Sequence, residues 1–290
     1  MESTAGRAAA LVPFQRPYRI GEVLDVGCRL FQRTALANVP VALAAVLLGQ
    51  APAAYSLSRT EHVGSTLGGG LLRDPGWWAV YGASTLLILA LWAILLLRQS
   101  AAARGGRIAL GAALRETARC FPRIVVIVLL TGALLAGTAA LIVAPVLQFA
   151  GPRSPLLLLA VLPAGYVALR LWFALPALLF SGVGPIAAIG VSVRLVRGNV
   201  LRTAMILSVA ALVVMVIYAL GGVIGLIVAP LVAADGATGG FVALVLAEVV
   251  GALFMPFLTA LTIAQYEDLS VRRQGADLQR RIDALPNIAR

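Results

Sequence analysis

The stretch IVVIVLLTGALLAGTAALIVAPVLQFAGP, Ile124 to Pro152, carries no charged residue and decides the fold. A run of about 18 or more apolar residues can cross the ~30 Å hydrocarbon core of a bilayer as one helix. A helix that is apolar on every face needs apolar surroundings on every side. Working outward, comparable runs lie at Thr34 to Ser58, Pro75 to Leu97 and Thr203 to Ala234. Two more are each interrupted by one charge, Ser154 to Val193 by Arg170 and Gly236 to Tyr266 by Glu248. Spanning helices are expected at Ala35 to Tyr55, Trp77 to Leu97, Ile124 to Phe149, Leu156 to Phe180, Ala204 to Ala229 and Phe241 to Ile263. Composition agrees, with 61% hydrophobic and 12% charged residues, where a soluble domain has about half and a quarter. The expected fold is therefore all-α, a polytopic transmembrane bundle of about six spans.

The formal charge of +11 comes from 23 arginines and no lysine, against 12 acids. A single soluble basic patch would point to nucleic acid. These arginines instead occupy short segments between the apolar runs, where arginine orients a membrane protein and meets anionic head groups. With the N-terminus inside, nineteen arginines fall in inward-facing segments, and only Arg59, Arg73 and Arg153 fall outside. An odd number of spans would export the basic tail, so both termini are expected in the cytoplasm. Trp77 and Trp78 suit an aromatic anchor at the outer interface. The first apolar run starts behind five arginines and three acids, which argues against a cleaved signal peptide. Cys28 and Cys120 fall on the cytoplasmic side, where thiols stay reduced, so no disulfide is expected.

The segments between spans have patterns of their own. In Ile20 to Arg33 the polar residues Glu22, Asp25, Arg29 and Arg33 recur at helical spacing, opposite Ile20, Leu24 and Phe31. This predicts an amphipathic helix along the membrane surface. Ile108 to Arg119 and Pro185 to Arg197 read the same way, with Pro185 placed for a first helical turn. Aligning the three segments brings Arg29, Arg119 and Arg194 into register, with Leu24, Leu114 and Ile189 before them and Phe31, Phe121 and Val196 after. The alignment suggests a threefold repeat of surface helix plus transmembrane hairpin. The expected organisation is an N-terminal tail at 1–15, a membrane domain at 16–264 and a basic cytoplasmic tail or helix at 265–290.

The stretches RPYRIGEVLDVGCRLFQR (Arg16 to Arg33), RLWFALPALLFSGVGPIAAIGVSVRLVRGN (Arg170 to Asn199) and QYEDLSVRRQGADLQRRI (Gln265 to Ile282) together resemble a family of bacterial membrane proteins. That family comprises the glycerophosphoryl diester phosphodiesterase membrane domain and the YciC-like proteins. The resemblance implies a bacterial inner-membrane protein without the catalytic phosphodiesterase domain, for which this chain has no room.

Catalytic machinery is not legible. The single histidine, His62, has only Glu61 as a near acidic neighbour, and one histidine makes no metal cluster. The glycine run Gly68 to Gly70 is not followed by the lysine of a phosphate loop. No catalytic residue, metal or cofactor is expected, and a membrane-embedded enzyme is the least favoured reading. Arg170 and Glu248 are the intramembrane charges, and such groups must face the bundle or a polar cavity. They read as an internal clamp, as part of a polar pathway, or as a lipid-head-group site. Arg29, Arg119, Arg194 and Arg197 are the candidates for contact with anionic head groups at the cytoplasmic face. A non-enzymatic inner-membrane protein is expected, serving envelope organisation, lipid contact or a membrane protein partner, with no nucleic acid. The alternative is a transporter or channel, since repeats and kinked spans recur in transport folds.

Overall fold

The computed structural model describes residues 10–11, 16–60, 74–150, 161–232, 248, 251–252 and 254–283, and among them every regular element is a helix. Five helical stretches are long and apolar enough to cross a membrane: Ile20–Ser56, Pro75–Ala103, Leu110–Val146, Leu162–Ser181 and Val200–Gly225. They coincide with the first five expected spans. Ten of the 23 residues of the sixth, Phe241 to Ile263, lie outside the described residues, as do the loop holding His62 and the last residues of the basic tail. Large apolar side chains point away from the bundle, Leu141 with 79% and Met215 with 62% of their surface uncovered. Surface of that kind requires lipid.

Helix α1 (Ile20–Gly49) opens with the acidic half of a capping box, the Arg19 N–H donating to Glu22 Oε2 at 2.7 Å. Helix α2 (Ala51–Thr60) continues it past Gln50, where Pro52 has no N–H for the carbonyl four residues back. Helix α3 (Pro75–Ala103) starts at Asp74, whose Oδ1 accepts the Gly76 N–H at 2.8 Å, with Pro75 in the first turn. Nearby, Trp77 stacks on Tyr81 with ring centroids 5.3 Å apart and meets Trp78 edge-on at 5.0 Å. This aromatic cluster marks one end of the bundle.

Helix α4 (Leu110–Ala150) has 41 residues, or ~60 Å at 1.5 Å per residue, about twice the hydrocarbon thickness. Its first turns, with Arg115, Arg119 and Arg123, therefore project beyond the apolar layer. The surface segments expected at Ile20 to Arg33 and Ile108 to Arg119 are thus continuous with the spans that follow them in α1 and α4. No residue with a left-handed backbone interrupts either join, and the helix carries Pro122 in its interior. The third segment, α7 (Pro185–Val196), is a helix of its own. Gly198, at φ 82°, turns the chain before α8 (Val200–Val232).

The fourth span is broken into α5 (Val161–Leu171) and α6 (Ala174–Ser181). Pro176 offers no N–H to the Trp172 carbonyl, which accounts for the break. Helix α9 (Phe254–Asp283) then runs through the middle of the bundle, packed along α1 and α3 and touching α7 and α8. It lies antiparallel to α1: Gly27 meets Leu261, and one turn further Phe31 meets Phe257 edge-on at 5.7 Å. The core around them holds Val23, Val26 and Leu30 of α1, Phe173 and Leu178 of the broken span, and Leu261 and Leu269 of α9.

Candidate functional site

Along α9, polar side chains from Thr262 to Asp268 find partners on other elements, and the Pro256 carbonyl does the same. Gln99 of α3 donates its amide to the Pro256 carbonyl at 3.0 Å and to Thr34 Oγ1 of α1 at 3.2 Å. The Trp172 indole N–H, in the break, donates to Thr262 Oγ1 at 3.3 Å. Gln265 donates to the Thr203 carbonyl of α8 at 3.4 Å, and Tyr266 Oη lies 3.3 Å from Ser181 Oγ. Arg104, at the end of α3, pairs with Glu267 at 3.2 Å.

Asp268 ends this row and is fully buried. Its Oδ2 accepts from Arg202 Nε at 3.1 Å and from Arg272 Nε at 3.0 Å, and its Oδ1 accepts the Tyr18 N–H at 2.8 Å. Both guanidinium groups also donate to the Tyr18 carbonyl, at 2.6 and 2.5 Å. A buried carboxylate is tolerated only when paired and fully hydrogen-bonded, and here two arginines and a backbone N–H meet that condition. The cluster fastens the segment before α1 onto α8 and α9. Leu11 adds a further tie by donating its N–H to the Ala103 carbonyl at 2.6 Å. The basic tail or helix expected from residue 265 starts inside the bundle: α9 runs unbroken through that point, and Gln265 to Leu269 are buried. Glu267 and Asp268 look like solvated tail charges only while their distant partners are out of view. The legible signal was their spacing against Leu261, Ala264 and Leu269, with no helix breaker in between.

The break in the fourth span is sealed by one side chain. Ser192 Oγ donates to the Arg170 carbonyl at 2.6 Å and accepts the Phe173 N–H at 3.1 Å. Two backbone groups at the break, the Arg170 carbonyl and the Phe173 N–H, are thereby satisfied inside the protein, as irregular backbone at membrane depth requires. Helix α7 is held against the broken span by this contact and is not a purely surface element. The sequence pattern showed Pro176 but gave no sign that Ser192 would answer it.

Arg170 and Glu248 do not meet. The Arg170 guanidinium lies over the Tyr166 ring, 4.6 Å from its centroid, whereas Glu248 accepts from Tyr218 Oη at 3.4 Å. Arg170 has thus found an aromatic neighbour on its own helix, and Glu248 a phenol of α8, 30 residues away along the chain. Arg29, Arg119, Arg194 and Arg197 are all exposed. Arg29 pairs with Asp25 and Arg119 with Glu116, each within one turn of its own helix. With exposed Arg107, Arg115 and Arg123 they crowd the end of the bundle where α1, α4 and α8 begin and α3 finishes. The Trp77 cluster lies at the start of α3, a helix length away. Among the described residues no group of three or more histidine, cysteine or acidic side chains could hold a metal. Cys28 and Cys120 are free.

Long apolar helices, lipid-facing side chains and a sealed break at membrane depth define the class: a multi-pass helical membrane protein. No protein-family model, curated protein or solved structure matches the chain.

Proposed function

We propose that the chain is a non-catalytic protein of a bacterial cytoplasmic membrane, with both termini in the cytoplasm. Its basic end engages anionic head groups and organises the envelope or supports a membrane partner. The observation behind this reading is the gathering of exposed arginines, Arg29, Arg119, Arg194 and Arg197 among them, at one end of an apolar bundle. Each arginine near an anionic leaflet contributes about 1 kcal/mol of attraction, and the attraction decays over a Debye length. Replacing those four by glutamine should weaken copurification of phosphatidylglycerol and remove its salt sensitivity, read by mass spectrometry of gently solubilised protein. Unchanged lipid retention would contradict the reading.

One observation favours a second reading, a transporter. The fourth span is discontinuous and bridged by Ser192, and broken helices beside polar side chains form the sites of many transport folds. Solute-dependent flux in proteoliposomes would favour that reading over the first.

A further inference from the structure

Along α5, Leu162, Tyr166 and Arg170 recur every four residues and so form one stripe. The stripe faces outward: Leu162 is 72% and Tyr166 44% exposed. Arg170 lies at the end of the stripe nearer the basic end, because α5 runs toward the α7 and α8 junction that carries Arg194 and Arg197. Among the described residues no carboxylate lies within ion-pair distance of it, and its Nε is buried with no hydrogen-bond partner. The Tyr166 ring beneath the guanidinium holds it in place. An arginine placed inside an apolar span with no acid of its own calls for an anion from outside the chain. Two residues on, Trp172 walls two apolar clefts, one shared with Trp92 and Ile127, the other with Leu207, Met215 and Leu258.

We propose that Arg170 anchors a bound anionic phospholipid, its phosphate on the guanidinium and an acyl chain running along Tyr166 and Leu162 toward the far leaflet. Charge and shape both select this occupant. The guanidinium fork matches a phosphate oxygen pair, and the stripe beyond it is apolar and open to lipid. The proposal rests on the reading that the basic end faces the leaflet holding anionic lipid, but it names a single site deeper than the surface arginines.

Trp172 is the reporter. With Trp77→Phe, Trp78→Phe and Trp92→Phe it is the one tryptophan left of the 4 in the chain. In phosphatidylcholine vesicles, phosphatidylglycerol with brominated acyl chains should quench Trp172 at roughly fivefold lower mole fraction than brominated phosphatidylcholine. Arg170→Gln should erase that preference, and millimolar inorganic phosphate should leave it unchanged. Equal quenching by the two lipids, or a preference that survives Arg170→Gln, overturns the proposal. Displacement of the brominated lipid by inorganic phosphate also overturns it, since the site would then take a free anion. Native mass spectrometry of the unsubstituted chain decides the matter even if Arg170→Gln does not fold: one retained phosphatidylglycerol is expected, and none overturns the proposal. The four surface substitutions should weaken vesicle attraction while leaving the Trp172 preference intact. Failure of the surface reading and failure of this site therefore give different results.

Discussion

Asp268 has no exposed surface, yet it carries a charge that two arginines and the Tyr18 N–H share. Removing one member of such a buried group leaves the others uncompensated, at a cost on the order of 3–5 kcal/mol. Asp268→Ala should therefore lower the thermal unfolding midpoint in detergent markedly. Arg202→Gln should lower it less, because Arg272 still answers the carboxylate. Equal midpoints for Asp268→Ala and the unsubstituted chain would show that the cluster contributes no net stability. The residue scale is where the sequence was least informative. Arg170 and Glu248 stand out as charges within apolar runs, but their neighbours, Tyr166 and Tyr218, do not announce themselves. Arg272 sits one turn from Asp268, but its other partners, Tyr18 and Arg202, lie 250 and 66 residues away along the chain, and no local spacing encodes contacts of that range.

Helices of this kind are legible because lipid imposes a simple rule: a long uncharged run must satisfy its backbone within itself. Five expected spans accordingly match five helical stretches. The joins between them depended on subtler signals. Gly198 breaks the chain between α7 and α8 at φ 82°, whereas nothing between Arg33 and Ala35 stops α1, so an amphipathic surface pattern and an apolar span fuse into one rod. Packing between elements was not readable at all, and the crossing of α1 and α9 shows why. A Cβ added at Gly27 would lie 3.1 Å from Leu261 Cδ1 and 3.2 Å from Leu261 Cα. The neighbour is partly backbone, which gives way only slightly. Gly27→Leu should overpack this crossing and cost about 1–3 kcal/mol, with Gly27→Ala falling below that range. The comparison is made by the unfolding midpoints of the two variants, and equal midpoints would mean that the helices can separate without loss.

On the scale of the whole molecule, charge and aromatic residues divide the bundle into two ends. The exposed arginines gather where α1, α4 and α8 begin, and the Trp77, Trp78 and Tyr81 cluster sits at the start of α3. That division was visible in the sequence, since arginine counts alternate from one connecting segment to the next. The burial of the polar residues along α9 was hidden because it rests on contacts with Tyr18, Arg104 and α8, all distant in the chain. Both features follow if the chain crosses the membrane an even number of times with its basic end in the cytoplasm. The direct measurement is labelling of single cysteines by a membrane-impermeant maleimide in intact cells, with Cys28→Ser and Cys120→Ser as background. Ser65→Cys should label from outside, while Arg16→Cys and Gln274→Cys should label only after the membrane is opened. Labelling of Arg16→Cys and Gln274→Cys from opposite sides would contradict the account.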